Sequence, residues 1–273
     1  MPKDMLQELF QRSKKIVVKI GSNTLTGEDG LVSKSYLNDI ASQVTELTQK
    51  GQRILIVSSG ARVSGLSAIN KWARRADIHY KQALCAIGQV ALMDSWRQAF
   101  ARHSVHVGQI LLTKDDFSDA YRTLNIRNTL FTLMDEGVIP IVNENDTICV
   151  EEIKIGDNDN LAALTAILWG ADLLLCLSDI EGVFDKNPKQ HPDAKLIETV
   201  RDFEALKATI ETAGTSSFGT GGIESKIEAA QKVVAYGIPM VLANGKTPSV
   251  LKTLSEGGAR ATLFLPSTGS TLT

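Results

Sequence analysis

Two stretches of this chain carry residues whose types and spacing could do chemistry together. GTGGIESK, Gly219 to Lys226, sets three glycines, two hydroxyls and a lysine before a run of helical pattern. It is not the P-loop, in which Lys-Ser/Thr follows the last glycine directly, because Gly222 is followed by Ile-Glu-Ser-Lys. If Gly222 opens a helix, its unpaired N–H groups and the helix dipole make an anion site. Lys226 would sit one turn in, with its side chain leaning back toward the same end. A surface lysine on an amphipathic helix that buries Ile223, Ile227, Ala230 and Val234 fits the same letters. Lys19 is more telling, because it lies inside the apolar run Ile16 to Ile20, where a lysine needs a reason to approach the interior. Two lysines from opposite ends of the chain, oriented by an aspartate, would clamp a phosphoryl group in transfer, which needs positive charge on its oxygens and little else.

The absences fit the same chemistry. None of the four histidines lies in a glycine-rich loop, and no GxSxG nucleophile elbow occurs. An acceptor that is already an anion, such as a carboxylate with a reference pKa of about 4.3, needs no general base at neutral pH. Four loops follow strand-like runs: KIGSN (19–23), SSGA (58–61), NENDT (143–147) and SDIEG (178–182). Ordinary turn chemistry explains small polar residues in any one of them. Together they also offer the N–H and O–H donors that suit carboxylate or phosphate oxygens. Asn143, Glu144, Asn145, Asp146, Asp157, Asn158 and Asp159 concentrate acids and amides around one segment. They lack the spacing of an EF-hand, but could take a substrate's amino group on a carboxylate and its carboxylate on amides. Asp157 could also simply cap the next helix.

These residues need elements to position them. KKIVVKI (14–20) reads as a buried strand ending at Gly21, and Arg53 to Gly60 repeats the strand-then-small-loop pattern. Between them Ser33 is a candidate N-cap for a helix with Leu37, Ile40, Val44 and Leu47 on one face and Gly51 as its stop. The alternation continues with a helix over 81–102, a strand over 107–112, a helix over 123–136 and a strand over 138–142. An alternating run over 148–155 reads as a hairpin or protruding arm. A helix from about Asp157 and a strand over 173–177 follow, and then a loop holding Pro188 and Pro192. A helix to Tyr236, a strand from Ile238 and a last helix and strand close the chain. Strands separated by helices predict an α/β fold with a mostly parallel sheet covered on both faces.

The bulk numbers exclude several classes. With 273 residues, 29 Lys+Arg against 31 Asp+Glu and a net charge of −2, nothing advertises nucleic acid or an anionic membrane. Cys85, Cys149 and Cys176 are odd in number and lack CxxC spacing, which suits a reducing cytosol. The N-terminus has no apolar core for a signal peptide, and no run approaches the roughly 18 apolar residues of a membrane span. KWARR (71–75) reads as a solvated basic face, and 267–273 as a polar tail.

VVKIGSNTLT, SSGA, AIGQVALM, QILLTKDD, NENDT, EIKIGDNDNLAAL, SDIEGVFDKNP and GTGGIESKIEAA occur in this order from about Lys15 to Pro266. Together they resemble the glutamate 5-kinases of the amino acid kinase superfamily. That resemblance implies a three-layer αβα sandwich with an N-terminal lobe, about 1–170, for the amino acid and a C-terminal lobe, about 171–266, for ATP. It implies phosphorylation of the γ-carboxylate of L-glutamate by ATP with Mg2+, the first step toward proline, in the cytoplasm. On it, Lys19 and Lys226 would stabilise the transferring group and Asp159 would hold them, while Ser59, Asp146 and Asn158 would bind glutamate. Gly21 and Ser22 would face the phosphates. Ser178, Asp179, Thr220, Gly221, Gly222, Ile223, Glu224, Ser225 and Lys226 would line the nucleotide site. No protein metal ligand is assigned, because the nucleotide phosphates would supply most of the coordination. Feedback inhibition by proline and a homo-oligomer are also implied. Two departures stand out: many members continue into a PUA domain, and Ser178-Asp179 replaces the common Thr-Asp. Kinases of N-acetylglutamate, aspartate or UMP on the same scaffold, and a silent sensing subunit, remain as alternatives.

Overall fold

The structure is a computed structural model that describes residues 3–69, 77–149, 158–212 and 222–266. Its sheet has eight strands: β1 (Lys15–Ile20), β2 (Arg53–Ser58), β3 (Val107–Leu112), β4 (Ile139–Glu144), β5 (Leu173–Ser178), β6 (Thr199–Val200), β7 (Met240–Asn244) and β8 (Ala261–Phe264). The spatial order is β3-β4-β2-β1-β5-β7-β8-β6, and among these strands only β7 and β8 pair antiparallel. The helices are α1 (Lys3–Arg12), α2 (Ser22–Leu25), α3 (Lys34–Gln49), α4 (Ala61–Ile69), α5 (Ile78–Ala101), α6 (Ala120–Asp135), α7 (Asn158–Trp169), α8 (Phe203–Thr212), α9 (Gly222–Ala235) and α10 (Val250–Ser255). The first four strands build one half of the sheet and the last four the other. The two halves meet where β1 pairs with β5.

Each face of the sheet buries its own core. Ile16, Val18 and Ile20 of β1 join Leu37, Ile40 and Val44 of α3 and Trp96 and Phe100 of α5 on one side. Val17, Val57, Leu174 and Cys176 join Ala162, Ala166 and Trp169 of α7 and Ala230 and Val233 of α9 on the other. Because side chains alternate along a strand, Lys19 shares the face of Val17 and points under α7 and α9. Gly88 and Gly65 fix another part of the frame. A Cβ on Gly88 would stand 1.8 Å from the Ala61 carbonyl oxygen, and one on Gly65 would stand 1.9 Å from that of Leu84. Helices α4 and α5 therefore touch backbone to backbone, which seats the start of α4 directly after Ser59 and Gly60.

Most expected elements appear, with corrected ends. Ser33 caps α3 as expected, its hydroxyl accepting from the Tyr36 N–H at 3.3 Å, and Gly51 closes it at φ 89°. The first strand begins at Lys15. Helices α5 and α6 start three residues early, because Asp77 and Asp119 cap them through their carboxylates. Strand β4 runs on through Asn143 and Glu144 instead of ending at Val142, since its neighbour β3 continues the ladder with Leu111 opposite Asn143 and Leu112 opposite Glu144. Helices α1, α2, α4 and α8 and the two-residue strand β6 have no counterpart in the sequence reading. The arm over 148–155 falls mostly outside the described residues, as do the KWARR run, Thr220, Gly221 and the tail.

The Gly88 contact predicts that Gly88→Ala lowers Tm by about 2–12 °C, from an overpacking cost of about 1–3 kcal/mol at about 2–4 °C per kcal/mol. Gly258→Ala, where an added Cβ meets only ordinary contacts at 3.4 and 3.5 Å, should leave Tm within about 2 °C; thermal melts of both variants check the difference.

Candidate active site

At the carboxyl end of β1 the chain brings together three buried charges from three distant segments. Lys19 is 5% exposed, Lys226 8% and Asp159 5%. The Asp159 Oδ1 stands 2.5 Å from the Lys19 Nζ, and its Oδ2 stands 3.1 Å from the Lys226 Nζ. Lys226 also donates to the Gly222 carbonyl at 2.7 Å, so its side chain folds back along α9 toward the helix start as its position requires. The surface-lysine alternative is thereby removed. Ser225 donates its hydroxyl to Asp159 Oδ2 at 2.9 Å, and the Cys176 thiol donates to Oδ1 at 3.4 Å. Cys176 lies opposite Lys19 in the β1–β5 register.

The protonation states follow from these contacts. Burial alone would raise the pKa of Asp159, but the two ammonium groups and their hydrogen bonds outweigh it and hold the carboxyl well below the usual carboxylate range. Burial pushes the Cys176 thiol up to about 12, with Asp159 adding to the shift, so it remains an S–H donor. The result is a carboxylate that fixes two cations side by side in a low-dielectric site, facing the strand ends where ligands of open α/β sheets bind.

The adjoining loops are tied to this centre. The Gly21 N–H and the Thr24 hydroxyl both donate to the Leu177 carbonyl, at 3.1 and 3.4 Å, which holds α2 against the end of β5. Asn23 donates to Asp179 Oδ2 at 3.0 Å and Ser178 to Asp179 Oδ1 at 3.1 Å. Burial raises the Asp179 pKa, but these hydrogen bonds bring it below its ordinary value. Ser22 is half-buried at the start of α2, and Gly222, where an added Cβ would meet nothing within 4 Å among the described residues, starts α9. Ile223 packs into the core and Glu224 is exposed, so backbone N–H groups are what these two offer a ligand at the helix start.

A second polar group lies across the cleft from SSGA to NENDT. Asn158 Nδ2 donates to the Ser59 hydroxyl oxygen at 2.8 Å and to Asn143 Oδ1 at 2.9 Å, and Asn143 Nδ2 donates to Gln89 Oε1 at 2.8 Å. Asp146 lies close to the buried Cys85, whose thiol is pushed up to about 12 by burial first and by the Asp146 carboxylate second. Asp159 immediately follows Asn158 on α7, so the amide chain and the charge clamp share one helix start. Among the described residues no cluster of three or more His, Cys, Asp or Glu stands ready to hold a metal ion, and no helix is long and apolar enough to cross a membrane.

The amino acid kinase family profile matches residues 14–244. The chain belongs to the amino acid kinase family. Among its relatives in that family, a glutamate 5-kinase of Alkaliphilus metalliredigens is 58% identical over 260 residues, covering 95% of this chain and 98% of the relative. A glutamate 5-kinase of Treponema pallidum is 43% identical, covering 96% and 99%. The carbamate kinase of Giardia lamblia superposes with a TM-score of 0.66 at 14% identity, over 94% of this chain and 99% of that one, which establishes the shared amino acid kinase fold.

Sequence reasoning did not reach every residue of this amino acid kinase site. Cys176 is hidden in an unbroken apolar strand, and its only outward signal is the pairing of its strand with that of Lys19. Gln89 is the polar residue that follows Gly88 in the small-residue stretch of α5, a visible irregularity in the helix pattern. The clamp itself predicts a pH signature. Since the Asp159 pKa is lowered on folding, its contribution to stability is present in full above the unfolded value of about 3.9 and is lost as pH falls below it. Asp159→Asn should therefore melt well below the wild type at pH 7, and the gap should narrow as pH drops below about 4. Paired melts across pH 3–8 measure it.

Proposed function

We propose that the protein transfers the γ-phosphoryl group of ATP to the γ-carboxylate of L-glutamate, giving L-glutamyl 5-phosphate and ADP. The observation that carries this reading is the pair of buried ammonium groups, Lys19 and Lys226, held on the two oxygens of Asp159. A carboxylate oxygen attacks the γ-phosphorus. The new O–P bond forms as the bond to the ADP oxygen breaks, and no proton need be removed from the acceptor. Lys19 and Lys226 stabilise the charge on the phosphoryl oxygens, and Asp159 fixes where they stand.

In this reading the amino acid occupies the half of the sheet built by the first 170 residues or so, and the nucleotide the half from about 171 to 266. Ser59, Asp146 and Asn158 hold glutamate, with the Asp146 carboxylate placed for its ammonium group. Gly21, Ser22, Ser178 and Asp179 face the nucleotide, together with Thr220 and Gly221, which lie outside the described residues, and Gly222, Ile223, Glu224 and Ser225 at the start of α9. Magnesium would come bound to the nucleotide, its coordination supplied mainly by phosphate oxygens and water, and would neutralise charge on the β- and γ-phosphates. A place at the head of proline synthesis accords with the relatives' glutamate 5-kinase names, and a cytoplasmic one with the lack of CxxC spacing among the cysteines. Inhibition by proline and a homo-oligomeric state are carried by family likeness.

Lys226→Ala should lower kcat by about 100-fold or more with little change in the KM for glutamate, because the charge is needed most in the transition state. Unchanged turnover would remove Lys226 from the clamp. Asp146→Ala should instead raise the KM for glutamate, and a shift confined to the KM for ATP would reverse the assignment of the two halves. MgATP-dependent ADP release with L-glutamate, N-acetylglutamate, L-aspartate and UMP tests the reading as a whole. Turnover with glutamate alone is expected, and no turnover with any acceptor despite ATP binding would favour a silent sensor.

A further inference from the structure

We infer that Gln89, through Asn143, is a positioning residue that sets which end of the Asn158 amide faces the amino acid. The inference rests on the reading of Ser59, Asp146 and Asn158 as the glutamate pocket. Gln89 is 9% exposed and Asn143 2%, so neither amide has bulk water to satisfy it. The chain of donors runs one way. Both hydrogens of Asn158 Nδ2 are committed, one to the Ser59 oxygen and one to Asn143 Oδ1, and Asn143 Nδ2 is committed to Gln89 Oε1. The acceptor that ends the chain is Gln89 Oε1, while the buried Gln89 Nε2 has no hydrogen-bond partner among the described residues.

This direction has chemical consequences at the pocket. With its nitrogen spent, Asn158 offers its Oδ1, an acceptor that suits an ammonium group. With its oxygen accepting from Asn158, Ser59 keeps its own proton to donate to a carboxylate. An acceptor oxygen, a nearby Asp146 carboxylate and a hydroxyl donor together describe a free α-amino acid, and they disfavour one whose nitrogen is acylated and has lost its charge and two of its hydrogens. Were the chain reversed, Gln89 Nε2 would donate to Asn143 Oδ1, Asn143 Nδ2 to Asn158 Oδ1, and Asn158 would present N–H to the ammonium group, a like-against-like contact. Specificity for the free amine is thus set two residues back from the substrate, on α5.

Gln89→Glu and Gln89→Leu separate the possibilities. A carboxylate at this position accepts but does not donate, so it holds the observed direction. Leucine removes the acceptor and frees Asn143 to turn. Gln89→Leu should raise the KM for L-glutamate about tenfold, with kcat at saturating glutamate and the KM for ATP both within about threefold of wild type. Gln89→Glu should keep the KM for glutamate within about threefold. A tenfold rise in Gln89→Glu overturns the inferred direction, and this near-isosteric variant decides the matter even if Gln89→Leu does not fold. Ser59→Ala, run beside them, keeps the two readings apart. If Ser59→Ala raises the KM for glutamate while Gln89→Leu leaves it unchanged, the inference fails and the pocket stands. If both leave it unchanged, the pocket assignment fails and takes the inference with it.

Discussion

Two ammonium groups do not rest side by side in a protein interior unless an anion holds them there. Asp159 is that anion, and its two oxygens each take one lysine. Taking three charges out of water costs more than a single ion pair readily returns, so the arrangement is poor evidence of stability for its own sake. It makes sense as a site kept ready for oxygens that carry more negative charge than one carboxylate. In the proposed transfer this preorganisation would spare the lysines any reorientation.

The fold supplies what this constraint requires. Lys19 comes from the strand at the seam of the two half-sheets, Asp159 from the first turn of α7 and Lys226 from the first full turn of α9. Two helix starts thus converge on the carboxyl end of one strand, and their dipoles reinforce the positive field there. The amide chain depends on the same helix, since Asn158 precedes Asp159 and donates to Ser59. The backbone contact between α4 and α5 fixes Ser59 from one side, and the same α5 carries Gln89. Displacing α5 would therefore disturb both the loop after β2 and the amide chain.

Much of this was legible in the letters. A lysine in an apolar strand and a lysine four residues after a glycine pair pointed to a shared anion, and both proved buried around one aspartate. Strands β1, β2, β3 and β5 could be read from β-branched and leucine-rich runs. What the sequence did not disclose depends on neighbours. Strand β4 reaches Glu144 because β3 lies beside it, not because Asn143 and Glu144 favour a strand. Helix α4 begins in a small polar run that looks like a turn, and its close packing on α5 at Gly88 and Gly65 favours a helix there. Cys176 gains its role purely from strand register, and the direction of the Gln89–Asn143–Asn158 chain exists only once three elements meet.

The most direct measurement is a crystal structure of the protein with MgADP, L-glutamate and tetrafluoroaluminate, which mimics the phosphoryl group in transfer. The account predicts that both Lys19 and Lys226 place their Nζ at about 3 Å from the fluoride ligands while remaining on the Asp159 oxygens. A fluoroaluminate bound away from this pair, with either lysine still turned wholly to Asp159, would contradict it.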